Sequence, residues 1–277
     1  MRKNILFTFI LAGMACLIFV QIQESEAQNP IFFADFDGKG IPDNTVNTAA
    51  KYKAENPAHT WGIGDFLANK TKALQMTGGG CGSSSFTPFP GVEDWTDGII
   101  QIDMGWNDDD SWGIMFRRED EATGYFAFFG WIETVNLALF DLAELGLANG
   151  QCLNEAGGGG VENGVEPGGE IIDKFLDVVP HDFKKMTTGP AAVSYTGRIL
   201  ADGPTIKVWY GLTDDFPDDP LQEPTKIPVM LEINNSAHTK GSVGIWQESN
   251  DNGIIDNIYV FDEKGLAVAP KGKLTTT

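Results

Sequence analysis

What most restricts the folds open to this chain is a short run of apolar, aromatic and β-branched residues that recurs along it, broken by Gly, Asp, Asn and Pro. In Ile100-Gln101-Ile102-Asp103-Met104 three apolar side chains fall on one face and two polar ones on the other, and Ile206-Lys207-Val208-Trp209-Tyr210 keeps a similar period of two. A pleated strand buries one face in this way, whereas a helix needs a period of 3.6. The pattern predicts strands over 31–37, 60–66, 73–77, 98–106, 112–117, 124–131, 134–141, 192–200, 205–211, 227–233, 242–247 and 254–261. Helix is expected only over 140–147 and 173–179. So many strands with so few short helices predict an all-β chain, a sandwich or a barrel, and no repeat of fixed period argues for a solenoid or propeller.

Two segments break the pattern. Residues 149–169, with Gly157-Gly158-Gly159-Gly160 at their centre, carry too little apolar surface to pack and read as a long exposed loop. Residues 213–224 hold Asp214, Asp215, Asp218, Asp219 and three prolines, and because proline has no N–H to give a ladder they read as a rigid acidic loop. At the start, Arg2 and Lys3 precede an apolar run from Ile5 to Val20 and a polar stretch ending in Ser25-Glu26-Ala27, the layout of a secretory signal peptide cleaved after Ala27. That run is shorter than the roughly 18–20 residues of a membrane span, and no other stretch is long enough, so no span is expected after cleavage. An uncleaved anchor is the rival reading. The organisation expected is a leader over 1–27, one β-domain over 28–263 and a tail or linker over 264–277.

The formal net charge is −20, from 39 acidic and 19 basic residues, and the leader removes equal numbers of each. Phosphate backbones are bound by clustered Lys and Arg, so nucleic acid is excluded as a partner. The acidic balance fits either a solvated surface or cation binding. Outside the leader only Cys81 and Cys152 remain, and an oxidising compartment suggests a disulfide between them, two free thiols being the alternative.

Three strings resemble one superfamily. Asp108-Asp109-Asp110-Ser111-Trp112-Gly113-Ile114-Met115-Phe116-Arg117-Arg118 followed by Gly124-Tyr125-Phe126 resembles the charged turn and hairpin of laminin G-like and thrombospondin C-terminal-like domains. Gly241-Ser242-Val243-Gly244-Ile245-Trp246 followed by Asp256-Asn257-Ile258-Tyr259-Val260 resembles their closing pair of strands, and Phe33-Ala34-Asp35-Phe36-Asp37-Gly38 their opening strand. The resemblance spans residues 31–262 in the right order. It implies a concanavalin A-like fold: a two-sheet antiparallel jelly-roll sandwich whose first and last strands meet.

Folds of this kind often hold a structural calcium ion where the termini meet, and the ion asks for six to eight carboxylate and carbonyl oxygens. Asp35, Asp37 and Asp256 are therefore the expected Ca²⁺ ligands, the rival reading being that they cap turns. Two calcium-loop look-alikes are weaker: Lys39 stands at a ligand position after Asp35 and Asp37, and the string from Glu248 to Gly253 lies between strands.

For catalysis the sequence offers little. The E-x-D-x-x-E string of family 16 glycoside hydrolases is absent, three histidines are too scattered for zinc, and no G-x-S-x-G occurs. A carboxyl pair from separate strands stays open, and the 3-keto-disaccharide hydrolase-like enzymes, which share the architecture the resemblance implies, are the leading enzymatic alternative. Seven tryptophans favour binding, because sugar rings stack on exposed indoles. Trp106, Trp131 and Trp112, beside loops or the acidic turn Asp108, Asp109 and Asp110, are the expected platform. The function expected is a non-catalytic, calcium-stabilised, secreted or cell-surface module that binds a glycan or an extracellular protein, with a glycosidase-like enzyme or a purely adhesive module as alternatives.

Overall fold

A computed structural model describes residues 29–36, 52–55, 60–77, 85–105, 111–129, 136–145, 175–180, 193–248 and 253–268. Among them the strands are β1 (Phe32–Ala34), β2 (Thr60–Phe66), β3 (Thr71–Thr77), β4 (Ser85–Pro88), β5 (Gly98–Gly105), β6 (Ser111–Asp120) and β7 (Thr123–Phe129). They continue with β8 (Asn136–Asp141), β9 (Phe175–Pro180), β10 (Tyr195–Asp202), β11 (Thr205–Leu212), β12 (Leu231–Asn234), β13 (Ser242–Glu248) and β14 (Ile254–Phe261). The α-helices are α1 (Leu142–Leu145) and α2 (Glu263–Val268).

The strands form two sheets, and every pairing is antiparallel. The larger runs β12-β11-β10-β5-β14-β3-β2, with β1 also on β14, and the smaller runs β4-β13-β6-β7-β8-β9. Successive strands lie in different sheets at β3 and β4, β4 and β5, β5 and β6, β9 and β10, β12 and β13, and β13 and β14. This is the two-sheet antiparallel sandwich expected from the sequence. The period-two residues close it: Ile100, Ile102 and Met104 of β5 and Ile258 and Val260 of β14 meet Ile114 and Phe116 of β6 and Val243 and Ile245 of β13 in one core. Each such side chain, fully buried, contributes roughly 1.5–3 kcal/mol relative to exposure. First and last strands do meet, Phe32 opposite Val260 and Ala34 opposite Ile258.

Several expectations change. β13 and β14 follow one another in sequence but lie in different sheets, so the closing strings are consecutive strands and not a hydrogen-bonded pair. The short helix expected over 173–179 is β9, where Val178 and Val179 sit opposite Ala138 and Leu137. β4 gave no alternation to read; it is an edge strand, where Pro88 costs no interior ladder bond. Beyond Asp262 the chain turns into α2, capped by the Asp262 carboxylate on the Lys264 N–H, and Leu266 packs against the cluster of Ile99, Leu221 and Phe261.

The outward faces also carry apolar side chains. Trp209, Phe216 and Ile227 form a cluster where the acidic, proline-rich loop crosses the larger sheet. On the smaller sheet Phe86, Met115, Phe126, Phe128, Phe140 and Trp246 form another. Trp209 and Trp246 are thus buried on the faces turned away from the central core.

Candidate functional site

On β5 the residues that alternate with the core are Gln101 and Asp103, on β10 Thr196 and Arg198, and on β14 Asp256 and Tyr259. These strands are neighbours, so their outward side chains form one polar patch on the larger sheet. The sheet is notched there. Along one edge β14 pairs with β5; along the other, Ile254 and Ile255 pair with β3, while Ile258 to Val260 pair with β1. Asp256 and Asn257 fall between those two partners, at a register shift against β5 in which Asn257 takes φ 46°. Such an irregularity re-aims side chains locally.

Asp256 lies directly opposite Asp103 in the ladder. Asp103 accepts from the Thr196 hydroxyl at 2.5 Å and from the Asn257 amide at 2.8 Å, one bond on each carboxyl oxygen. Asp256 accepts from the Thr71 hydroxyl at 2.8 Å on Oδ2, and its Oδ1 has no partner among the described residues. The Gln101 Oε1 likewise has none among them. Relative exposures of 0% for Asp256, 5% for Asp103 and 6% for Gln101 leave water little access to these acceptors.

Burial sets the electrostatics. Loss of solvent raises the Asp103 carboxyl to about 6, although the Thr196 and Asn257 hydrogen bonds oppose it. Loss of solvent also raises Asp256 to about 7, with the charges of Asp103 and Asp35 adding to the effect and Thr71 and the Asn257 N–H opposing it. The phenol of Tyr259 is pushed up to about 12, first by burial and then by Asp103, Asp35 and Asp256. A cavity of about 230 Å³ opens over this patch, lined by Gln101, Asp103, Thr196, Asn257 and Tyr259 from the sheet and by Thr213, Phe216, Pro217 and Asp218 from the loop above. Among the described residues no Lys or Arg lines it. Arg198 is the cation beside it, but its guanidinium lies over the Trp209 ring and donates to the Gln222 carbonyl, with Glu223 and Asp219 supplying compensating charge.

A second cavity, about 480 Å³, lies by the β4–β13–β6 edge and is lined by Glu55, Phe86, Glu93, Arg118 and Lys240 among others. Its buried cation is already saturated: Arg118 makes two bonds to the Glu55 carboxylate, at 2.9 and 3.0 Å, and sits over the Phe86 ring. It offers no unmet buried acceptor of the kind found in the notch.

Of the calcium ligands expected from sequence, Asp256 lies in the notch, and Asp35, which follows β1, is close enough to act on Asp256 and Tyr259 electrostatically. Asp37 lies outside the described residues, as do Trp106, Asp108, Asp109, Asp110, Trp131, Cys81 and Cys152. Among the described residues no three His, Cys, Asp or Glu side chains are grouped to hold a metal ion. Trp112 does not present a stacking face. It is fully buried, parallel to Trp61 of the opposite sheet with ring centroids 6.4 Å apart, because Trp112 begins the inward-facing series of β6. Sequence reasoning missed Asp103 as a site residue. The signal was present, since alternation already set Gln101 and Asp103 opposite the apolar face, but their placement beside Asp256 depends on β14 lying next to β5.

No family model matches the chain, and no curated protein matches it. Among solved structures, the VIP36 exoplasmic/lumenal domain in its Ca²⁺/Man2-bound form is 9% identical, with TM-score 0.45, over 84% of this chain and 88% of that one. A protein of unknown function with galectin-like fold from Bacillus subtilis is 10% identical, TM-score 0.43, over 84% and 96%. A candidate glycosyl hydrolase from Parabacteroides distasonis is 10% identical, TM-score 0.39, over 76% and 88%. Among the described residues no helix is long and apolar enough to cross a membrane.

Proposed function

We propose that this protein is a secreted, non-catalytic carbohydrate-binding module whose ligand seats in the notch on the outer face of its larger sheet. The observation that carries this reading is the buried Gln101 Oε1, without a partner among the described residues, at a cavity lined also by the polar side chains of Asp103, Thr196, Thr213, Asp218, Asn257 and Tyr259. A buried acceptor without a donor costs about 1–3 kcal/mol. Sugar hydroxyls supply such donors, and Tyr259 and Phe216 offer ring surface beside them. At about 230 Å³ the cavity is smaller than the roughly 300–1,000 Å³ of common small-molecule sites, which suits one sugar ring or a chain end. Calorimetric screening of mono- and oligosaccharides is expected to find a ligand whose affinity falls at least tenfold in Asp103→Asn. Binding that is unaffected by that substitution would place the ligand elsewhere.

A hydrolase is the second reading, favoured by the facing carboxyls of Asp103 and Asp256. Directly opposed residues project from the same side of a sheet with Cβ atoms about 4.5–5.5 Å apart. Glycosidase carboxyls instead flank the scissile bond, at roughly 5–5.5 or 6.5–9.5 Å. Only Asp103 of the two lines the cavity, so the pair lies beneath a bound ring and does not bracket a bond. Release of reducing ends from the ligand, abolished in both Asp103→Asn and Asp256→Asn, would establish hydrolysis.

Calcium stabilisation belongs to the same proposal. The free Oδ1 of Asp256 and its nearness to Asp35 suit a shared cation, with Asp37 as third ligand. The melting temperature is then expected to rise in millimolar Ca²⁺ and to fall in EDTA; identical melting in both removes the ion from the account.

A further inference from the structure

The notch is acidic in a way that neutral sugar recognition does not need. Asp103 and Asp218 line the cavity, Asp256 lies directly opposite Asp103, and Asp35 acts on Asp256 and Tyr259 from beyond the end of β1, while among the described residues no basic side chain lines the cavity. Arg198 does not line the cavity: its guanidinium lies over the Trp209 ring and donates to the Gln222 carbonyl beside the charges of Glu223 and Asp219, and its buried Nε has no partner among the described residues. An anionic sugar would meet these carboxylates with no cation among the described lining residues to offset them.

Each Asp103 oxygen accepts one hydrogen bond within the protein and keeps a further lone pair, and Gln101 Oε1 keeps both. Carboxylate and amide oxygens with spare acceptor capacity at a small cavity match a group with three donors and a positive charge. An ammonium is such a group, and its charge-assisted bonds are roughly twice as strong as neutral ones. The aromatic ring of Tyr259 adds a face of negative potential.

Resting on the carbohydrate reading above, we propose that the saccharide selected by this notch is an amino sugar, with its ammonium held by Asp103, Gln101 and Asp218 under the 213–218 loop. The N-acetylated form loses both the charge and two of the three donors. It also brings an apolar methyl group against Asp103.

The test is a set of titrations of the full chain at pH 7 with glucosamine, N-acetylglucosamine, glucose and glucuronate. Glucosamine is expected to bind at least tenfold tighter than N-acetylglucosamine or glucose, and glucuronate not at all. The preference should shrink several-fold between 50 and 500 mM salt. It should vanish in Asp103→Asn. If that variant does not fold, Asp218→Asn at the exposed rim carries the same expectation at several-fold loss. Equal affinity for glucosamine and glucose, lost in Asp103→Asn, would overturn the amino-sugar inference and leave the carbohydrate reading intact. Failure of every sugar to bind would overturn both.

Discussion

Asp256 and Asp103 tie the stability of the folded chain to pH. Their ordinary value is 3.8, and burial raises them to about 7 and about 6 in the folded state. The folded state therefore holds its protons more tightly than the unfolded one, and the stability this brings is complete below pH 3.8 and is lost as pH rises through 6 to 7. Lowering the pH from 8 to 5 is expected to raise the unfolding free energy by on the order of a few kcal/mol, shared between the two groups, and with it the melting temperature. In Asp256→Asn the gain should shrink, because only Asp103 still titrates at the notch. A melting temperature that falls from pH 8 to 5 equally in both proteins would show that the pair is not buried as described. Elsewhere Arg117 illustrates a different use of a buried charge. At φ 50° and 1% exposed, it donates to the Thr96, His238 and Gly203 carbonyls and pairs with Asp97 at 2.8 Å, fastening three loops to β6. Arg117→Ala is expected to cost about 3–5 kcal/mol in a denaturation experiment, the range for leaving buried partners unmatched.

At the scale of elements, the hairpin of β6 and β7 and its neighbour β13 show what alternation can and cannot disclose. Their existence was legible, since Ile114 and Phe116 on one strand and Val243 and Ile245 on another keep a period of two. Their sheet membership was not, because nothing in the strings beginning at Gly241 and Asp256 states that the chain changes sheet between them. The glycines hold part of the missing information. Gly241 sits at φ +147°, and a Cβ there would lie 2.4 Å from the Arg117 carbonyl carbon. Gly113 leaves room for the Phe126 ring, which would come within 1.9 Å of a Cβ. Gly241→Ala is expected to destabilise by about 2–4 kcal/mol, since strained backbone and a backbone clash add. A chemical denaturation midpoint unchanged by the substitution would contradict the register of β13 against β6. β9 was misread for a related reason: a run as short as Phe175-Leu176-Asp177-Val178-Val179 fits one helical turn or one strand, and its pairing to β8 decides.

For the whole molecule, the sandwich follows from summed local patterning, but the notch is a product of topology. It exists because β1 and β3 share one edge of β14 and leave Asp256 between them, while the acidic loop after β11 crosses above. Of its residues, Asp256 was picked out by its place in a recognisable closing strand. Asp103, Gln101 and Thr196 were visible only as the polar half of alternating strands, a feature shared with any solvent-facing sheet. Trp112 was misjudged because proximity to an acidic turn says nothing about the direction in which a residue near the start of a strand points. The central claim is that a saccharide seats in this notch, and amide chemical-shift mapping with a saccharide ligand tests it most directly. Saturable shifts are predicted to centre on Gln101 to Asp103, Thr196, Thr213 to Asp218 and Asn257 to Tyr259. Shifts centred instead on β4, β13 and β6, or no saturable shifts with any saccharide, would contradict it.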